Sequence, residues 1–239
     1  MARSKILSGS ALMVALALTA STGSAVAESA PHSPVVVELF TSQGCSSCPP
    51  ANANLATISD RPDVLALSFG VTYWDYLGWK DSFAQPAFTN RQHAYVQALH
   101  RATAYTPQMV VNGRLELVGN SLDELDRKIA VARNDAPDSA PNVTLDSSKV
   151  TIGAGSALED IADIWLVRYD PNIVQVPVAR GENGGRTLPH KNVVHEFVRL
   201  GGWTGEAASF DLPPAAAGMK TAILVQSAYT GPILAAAKD

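Results

Sequence analysis

The two cysteines of this 239-residue chain stand three positions apart, at Cys45 and Cys48. Within the chain, each can pair only with the other. A disulfide between them encloses two residues, and in the chain-entropy description a disulfide stabilises a fold more when it encloses a longer loop. Stability alone is therefore a poor explanation for the pair, and the reactivity of the two sulfur atoms is the better one.

The N-terminal segment predicts export. Arg3 and Lys5 precede an apolar stretch over residues 6–20, and the triplet Ala25-Val26-Ala27 fits the small-residue pattern that a signal peptidase recognises. We expect residues 1–27 to be a signal peptide, the alternative being an uncleaved anchor helix. The protein is then periplasmic or secreted, and it meets oxidising conditions that favour disulfides.

The charge balance argues against a nucleic-acid partner. Removing the two positive charges of Arg3 and Lys5 takes the formal charge from −4 to −6. Binding to nucleic acid depends on Lys and Arg side chains that neutralise phosphates. After the first thirty residues, no apolar run is long enough to span a bilayer. We expect neither a nucleic-acid partner nor a membrane span after cleavage, and the sequence gives no indication of the oligomeric state.

Strands and helices alternate in the first half of the predicted mature chain. Asn112-Gly113 predicts a tight hairpin, because both central residues of a type I′ turn need positive φ. Ser121 and Glu124 form a capping box that predicts the start of a helix. The predicted strands are 35–40, 64–69, 108–111 and 115–118, and the predicted helices are 49–58, 86–101 and 122–134.

The resulting order is β-α-β-α-β-β-α, which begins with a parallel pair and ends with an antiparallel hairpin. This is the order of thioredoxin-like folds, and it predicts an α/β thioredoxin-like domain over residues 28–134. The cysteines lie between the first strand and the first helix, and Thr106-Pro107 precedes the third strand. In thioredoxin-like folds the corresponding proline is cis and lies across from the cysteines, and the resemblance assigns this role to Pro107.

The position of the cysteines predicts thiol chemistry. At a helix N-terminus the helix dipole and the unpaired backbone N–H groups favour a thiolate, so Cys45 is expected to attack. Cys48 lies one turn further along and is expected to be more buried and to resolve the mixed disulfide. A zinc site needs four ligands, and a c-type haem site needs a histidine where Pro49 stands. We therefore expect no metal and no cofactor.

Glu38 interrupts the apolar run of the first predicted strand. Burying a carboxylate is costly unless the group is protonated or paired. Thioredoxins carry a buried acid on this strand, about one residue closer to the cysteines, that passes a proton to the inner cysteine. We assign this role to Glu38; the alternative is an edge position or a hydrogen bond to a neighbouring loop.

The long connection over residues 71–85 is rich in aromatic side chains. It leaves the same edge of the predicted sheet as the cysteines, where open α/β sheets bind ligands. We predict that this loop covers the cysteines and contacts substrate, or, alternatively, that its rings pack as a satellite core against the C-terminal part. The predicted substrate-binding residues are Tyr73, Trp74, Trp79 and Thr106.

The second half has a different pattern. Residues 135–142 predict a linker, and short apolar strands over residues 143–239 predict a mainly antiparallel β-sandwich-like domain. The glycine-rich segment 180–186 lacks the Lys-Ser/Thr ending of a phosphate-binding loop and is predicted to be a flexible or packing loop. His190 and His195 are five apart, so on one strand they are expected to face opposite sides and to share no metal.

Four segments carry a resemblance to a known family: residues 37–50, 73–79, 105–108 and 184–188. Together they resemble the secreted bacterial thioredoxin-like family catalogued as domain-of-unknown-function family 1223. The resemblance covers nearly all of the predicted mature chain and implies the fold and export, whereas the family has no settled substrate.

This chain departs from the family pattern just before the aromatic loop. Members usually have His-Val-Asp there, and this chain has Gly70 and Thr72 in place of the histidine and the aspartate. Any metal or proton chemistry of those two groups is therefore lost or relocated in this chain.

These features predict an exported thiol–disulfide oxidoreductase. Its partners are a protein or small-thiol substrate and a redox recycling partner, and the direction of the reaction cannot be read from the residues. The alternative is a non-catalytic secreted binding module in which Cys45 and Cys48 form a permanent disulfide.

Overall fold

The computed structural model describes residues 1–2, 33–135, 140–156 and 160–239. Apart from its first two residues, the predicted signal peptide lies outside the described residues, and so does the middle of the predicted linker. Among the described residues, no helix has the length and apolar composition needed to cross a bilayer.

The first half contains every helix and strand that the sequence predicts, in the predicted order. β1 pairs in parallel with β2 and antiparallel with β3. Helix α2 ends three residues earlier than predicted, because His100 follows with a positive φ of 52°. The elements are β1 (Val35–Thr41), α1 (Pro49–Ile58), β2 (Val64–Gly70), α2 (Pro86–Ala98), β3 (Gln108–Val111), β4 (Leu115–Leu117) and α3 (Leu122–Asn134).

Local chemistry explains these boundaries. Pro49 and Pro50 open α1, where a missing backbone N–H is harmless. Asn112 and Gly113 turn β3 into β4 with φ values of 47° and 66°. Ser121 caps α3, because its side chain accepts a hydrogen bond of 3.3 Å from the Glu124 N–H.

The second half is a set of strands, two of them very long. The sequence predicts only short strands here, whereas these two strands are 16 and 17 residues long. The elements are β5 (Val143–Leu145), β6 (Lys149–Ile152), β7 (Ala162–Pro177), β8 (Thr187–Trp203), β9 (Ala208–Asp211), β10 (Lys220–Gln226) and β11 (Ile233–Lys238).

The described strands form a large, mostly antiparallel sheet of eight strands and a small sheet of three. Their orders are β11-β10-β7-β8-β2-β1-β3-β4 and β5-β6-β9. The fold is therefore mixed α/β with few helices. The small sheet packs on one face of the large sheet through Val150, Trp203 and Ile223, among others.

This arrangement differs from the expected C-terminal sandwich in one respect. β8 pairs in parallel with β2 at Ser68 and Val193, so the larger layer is continuous with the strands of the first half. Alternation of apolar residues identifies a strand but not its neighbour in the sheet. The described residues from position 33 onward accordingly form one compact unit.

The large sheet curls so that β11 contacts both the residue Ser33, just before β1, and the turn between β3 and β4. The Ile233 N–H donates to the Asn112 carbonyl at 2.9 Å, and the Ala236 N–H donates to Ser33 Oγ at 2.7 Å. Inside this curve α2 packs on Phe40, Phe69 and the second-half strands. Helices α1 and α3 pack on the opposite face.

A glycine substitution tests this closure. A Cβ at Gly113 would lie 2.6 Å from the Gly231 carbonyl oxygen, whereas a Cβ at Gly218 would meet nothing within 4 Å. Both glycines have positive φ, so Gly218→Ala carries only the backbone cost of about 1–2 kcal/mol. We expect Gly113→Ala to lower the free energy of unfolding by about 1–3 kcal/mol more than Gly218→Ala in urea titrations. Equal losses would contradict this closure of the sheet.

Candidate functional site

The cysteines lie in the turn between β1 and α1, joined as a Cys45–Cys48 disulfide with a Cα–Cα distance of 5.5 Å. Cys48 directly precedes the first residue of α1. Both cysteines are 0% exposed, while Ser46 and Ser47 between them are exposed. The expectation that Cys48 is more buried than Cys45 is therefore wrong for the disulfide form, because neighbouring segments enclose both.

The turn before β3 contacts the first sulfur. The Thr106-Pro107 peptide bond is cis, and Cys45 Sγ lies 3.8 Å from the Thr106 carbonyl oxygen. Ser47 Oγ donates to the same oxygen at 3.3 Å and lies 3.3 Å from Cys45 Sγ. The fold thus brings together the disulfide, Thr106 and Pro107, which are about sixty residues apart in the chain.

The aromatic loop forms one wall of the site. Trp74 Nε1 donates to Thr106 Oγ1 at 2.7 Å, and Trp79 Nε1 donates to Gln43 Oε1 at 2.9 Å. A Cβ at Gly44 would lie 3.1 Å from Trp74 Cβ, so this wall touches the cysteine turn.

The same loop also packs against both halves of the molecule. Tyr73 packs on the core beneath α2, where burial raises the pKa of its hydroxyl. Trp79 and Phe83 pack on Val176 and Leu188 of the second half. The loop therefore borders the cysteine turn and also packs against the second half, so each of the two predictions for it holds in part. Substrate contact by Tyr73, Trp74 and Trp79 stays a prediction.

Asp81 fixes the aromatic loop to the cysteine turn, a role that the sequence did not reveal. Its carboxylate accepts hydrogen bonds from the Gln43 N–H at 2.7 Å and from the Phe83 N–H at 2.8 Å. Burial raises the pKa of Asp81 above its ordinary value, although these two N–H groups act in the opposite direction.

The glycine-rich segment 180–186 also packs on the cysteine turn, next to the aromatic loop. The Glu182 carboxylate accepts hydrogen bonds from the Ser46 N–H at 2.9 Å and from Ser46 Oγ at 2.7 Å. These contacts lower the pKa of Glu182. Asn183 is fully buried, and its amide donates to the Cys45 carbonyl at 2.8 Å and to the Gln43 carbonyl at 3.0 Å. The segment is thus a packing loop, and sequence reasoning missed its contact with the site.

Glu38 faces away from α1, which contradicts its predicted contact with the inner cysteine. Side chains alternate along β1: Val36 and Phe40 pack with α2, whereas Val37 and Leu39 pack with α1. Glu38 shares the face of Val36 and Phe40. An acid one residue closer to the cysteines would point to the face of α1, so a shift of one residue changes the role.

Glu38 instead belongs to a buried ion pair. Its carboxylate accepts hydrogen bonds from Arg91 Nε at 2.6 Å and Nη2 at 2.9 Å, and another from the Tyr95 hydroxyl. Arg91 Nη1 and Nη2 also each donate to Gln226 Oε1 of β10 at 3.2 Å. The partner is a helix rather than a loop, so the alternative for Glu38, an edge position or a loop contact, is also wrong.

The electrostatics of this cluster keep Arg91 charged. Burial alone lowers the pKa of Arg91, but the adjacent Glu38 carboxylate and Tyr95 together outweigh burial and raise it. Burial raises the pKa of Tyr95 well above its ordinary value, so Tyr95 stays a neutral hydrogen-bond donor. The Phe197 ring of β8 lies 4.2 Å from the Arg91 guanidinium carbon. This cluster therefore joins the first half to β8 and β10.

Backbone packing leaves no room for a side chain at position 70 of this chain. A Cβ at Gly70 would lie 2.8 Å from the Ala84 backbone nitrogen, so a larger side chain requires the backbone to move. The Thr72 side chain contacts α2, because its Oγ1 lies 3.0 Å from Thr89 Oγ1, which also accepts from the Thr72 N–H. In the described part of the chain, no three His, Cys, Asp or Glu side chains form a group suited to a metal.

The two histidines of β8 lie on the same side, which corrects their predicted separation. The His190 and His195 rings both contact Phe83, at centroid distances of 5.5 and 6.2 Å. Asn192 interrupts the alternation with a positive φ of 52°. Burial lowers the pKa of His190 to about 4, so this ring is neutral at physiological pH.

Comparisons with known proteins identify a family of unknown function and similar solved structures. A family model described as "Protein of unknown function (DUF1223)" matches residues 36–226. A crystal structure of an Agrobacterium tumefaciens protein, determined by a structural genomics consortium, is 32% identical with a TM-score of 0.71, covering 87% of this chain and 94% of that one.

A second solved structure, HBP35 of Porphyromonas gingivalis, is 15% identical with a TM-score of 0.60, covering 87% of this chain and 75% of that one. At this identity the likeness concerns the fold alone. No curated protein matches the chain.

The buried ion pair gives a stability prediction. Arg91→Met leaves the Glu38 carboxylate buried without its cation, and we expect the free energy of unfolding to fall by about 3–5 kcal/mol in denaturant titrations. Arg133→Met is the matched control, because its partner Asp63 is exposed and the expected loss is below about 1 kcal/mol. Equal losses in the two variants would show that the buried ion pair contributes no more to the free energy of unfolding than the exposed one.

Proposed function

Since this chain belongs to the DUF1223 family of proteins of unknown function, we propose its activity from its own residues. It is an exported thiol–disulfide oxidoreductase with a thioredoxin-like fold in its first half. Cys45 and Cys48 carry the exchange, and the turn at Thr106 and Pro107 supports it. Protein or small-thiol disulfides are the substrates.

The observation that carries this proposal is the place of the disulfide at the start of α1. In the reduced state the positive end of the α1 dipole favours a thiolate. The cis turn at Pro107 holds the Thr106 carbonyl 3.8 Å from Cys45 Sγ. A structural bridge closing only two residues would give little stability in return for this arrangement.

In the direction that reduces a substrate, the proposed exchange has two steps, and the same steps in reverse oxidise a substrate dithiol. The Cys45 thiolate attacks a substrate disulfide, forming a mixed disulfide and releasing one substrate thiolate. The Cys48 thiolate then attacks Cys45 Sγ, which releases the second substrate thiolate and leaves the Cys45–Cys48 disulfide. Two electrons pass to the substrate, and a redox partner returns them. Glu38 has no place in these steps, because the Arg91 guanidinium holds it on the other face of β1.

One observation favours the alternative of a non-catalytic binding module. Both cysteines are 0% exposed in the disulfide form, and the aromatic loop and segment 180–186 enclose their turn. Exchange therefore requires one of these walls to move. A permanent disulfide would need no such movement.

The reduction potential of the pair separates the two functions. Catalytic pairs lie between about −270 and −120 mV, whereas structural disulfides typically lie below about −300 mV. We expect the mature protein, equilibrated with defined thiol–disulfide buffers, to fall in the catalytic range. A value in the range of structural disulfides would favour the binding module.

Trapping distinguishes the roles of the two sulfurs. We expect Cys48→Ser to accumulate a mixed disulfide with a disulfide-containing substrate, because Cys45 still attacks but nothing resolves the product. Cys45→Ser should trap none, and it serves as the matched control because it retains one thiol. Non-reducing electrophoresis and mass spectrometry measure the adducts. Equal trapping by the two variants would contradict the assigned roles.

A further inference from the structure

The Glu182 carboxylate is bound to the residue that follows Cys45. It accepts hydrogen bonds from the Ser46 N–H at 2.9 Å and from Ser46 Oγ at 2.7 Å. We infer that Glu182 is a positioning residue that lowers the reduction potential of the Cys45–Cys48 pair and makes the reduced pair a stronger electron donor. This inference deepens the proposed function by giving the exchange a preferred direction.

The physical argument compares the two redox states. Neither sulfur carries charge in the disulfide, so the Glu182 carboxylate has little electrostatic effect on that state. In the reduced state a Cys45 thiolate gains stability from the α1 dipole and from the backbone N–H groups of the cysteine turn. Glu182 occupies one of those donors, the Ser46 N–H, and adds a negative charge nearby. It therefore disfavours the thiolate, and with it the reduced form.

The contact is built by the fold. Asn183, the next residue, is fully buried and donates to the Cys45 and Gln43 carbonyl oxygens. Arg186 Nη1 donates to Asn183 Oδ1 at 2.6 Å and so orients the Asn183 amide. Gly181, with φ of 77°, brings the segment close enough that a Cβ there would lie 3.8 Å from Gly44 Cα. These neighbours hold Glu182 against the cysteine turn.

No cation of the described residues offsets this charge. None of the ion pairs in the described part of the chain includes Glu182. Arg186 is directed at the Asn183 side-chain oxygen instead. Glu182 is exposed, so its negative charge acts on the cysteine turn across a short distance and is screened by solvent and salt.

The direction follows from the lower potential. The reduced pair gives two electrons to a substrate disulfide: the substrate S–S bond breaks, the Cys45–Cys48 bond forms, and two substrate thiols leave. A dithiol donor then reduces the Cys45–Cys48 disulfide and becomes a disulfide itself. Such a donor must be at least as reducing as the pair for the cycle to continue.

The test compares the mature protein with Glu182→Gln in glutathione redox buffers. Gln keeps the length of the side chain but removes the charge, so we expect the equilibrium constant for reduction to rise by about threefold to tenfold, where tenfold is about 30 mV. Alkylation of free thiols followed by mass spectrometry gives the reduced fraction. The pH dependence of alkylation should also show a lower pKa for the Cys45 thiol in Glu182→Gln.

Glu206→Gln is the matched control, because it removes the same charge from an exposed turn between β8 and β9. We expect its potential and thiol pKa to equal those of the wild type. An unchanged or lower potential in Glu182→Gln would overturn the inference. The wild-type value tests the proposed function separately: a structural potential that Glu182→Gln still raises rejects the enzyme but keeps the effect of Glu182.

Discussion

The amide of Asn183 is the interaction on which the candidate site depends. It reaches the carbonyl oxygens of Gln43 and Cys45 from a loop about 140 residues further along the chain. A carbonyl group in a buried turn needs a donor, since an unpaired one costs about 1–3 kcal/mol. The Cys45 carbonyl also accepts from the Cys48 N–H, so the Asn183 amide matters most for the Gln43 carbonyl. By supplying this donor, the second half of the molecule becomes part of the cysteine turn and places Glu182 beside Ser46.

The same dependence between the halves recurs in the core. Gln226 of β10 and Phe197 of β8 complete the surroundings of Arg91, whose partner Glu38 lies on β1. β8 pairs directly with β2. A buried charge is tolerated only where its partners are fixed, so the strands of the second half stabilise the arrangement of the first. The first half, cut from this chain, would lose both sets of partners.

Local signals predicted the first half well. Asn112-Gly113 and the Ser121–Glu124 capping box act between neighbouring residues, and the corresponding turn and helix are present. Contacts between distant residues could not be predicted in the same way. The β2–β8 pairing and the contact between Glu182 and Ser46 leave no local pattern in the sequence. The face of β1 on which Glu38 lies would change with a shift of one residue along the strand. The burial of Cys45 depends on walls that fold over it from elsewhere in the chain.

The central proposal is that the Cys45–Cys48 disulfide exchanges with substrates although the aromatic loop and segment 180–186 enclose it. The most direct measurement is the rate at which a small dithiol reduces a protein disulfide in the presence of substoichiometric mature protein. The account predicts a rate well above the uncatalysed one and a loss of the acceleration when both cysteines are replaced by serine. A rate equal to that in buffer alone would contradict it and leave the disulfide as part of a binding module.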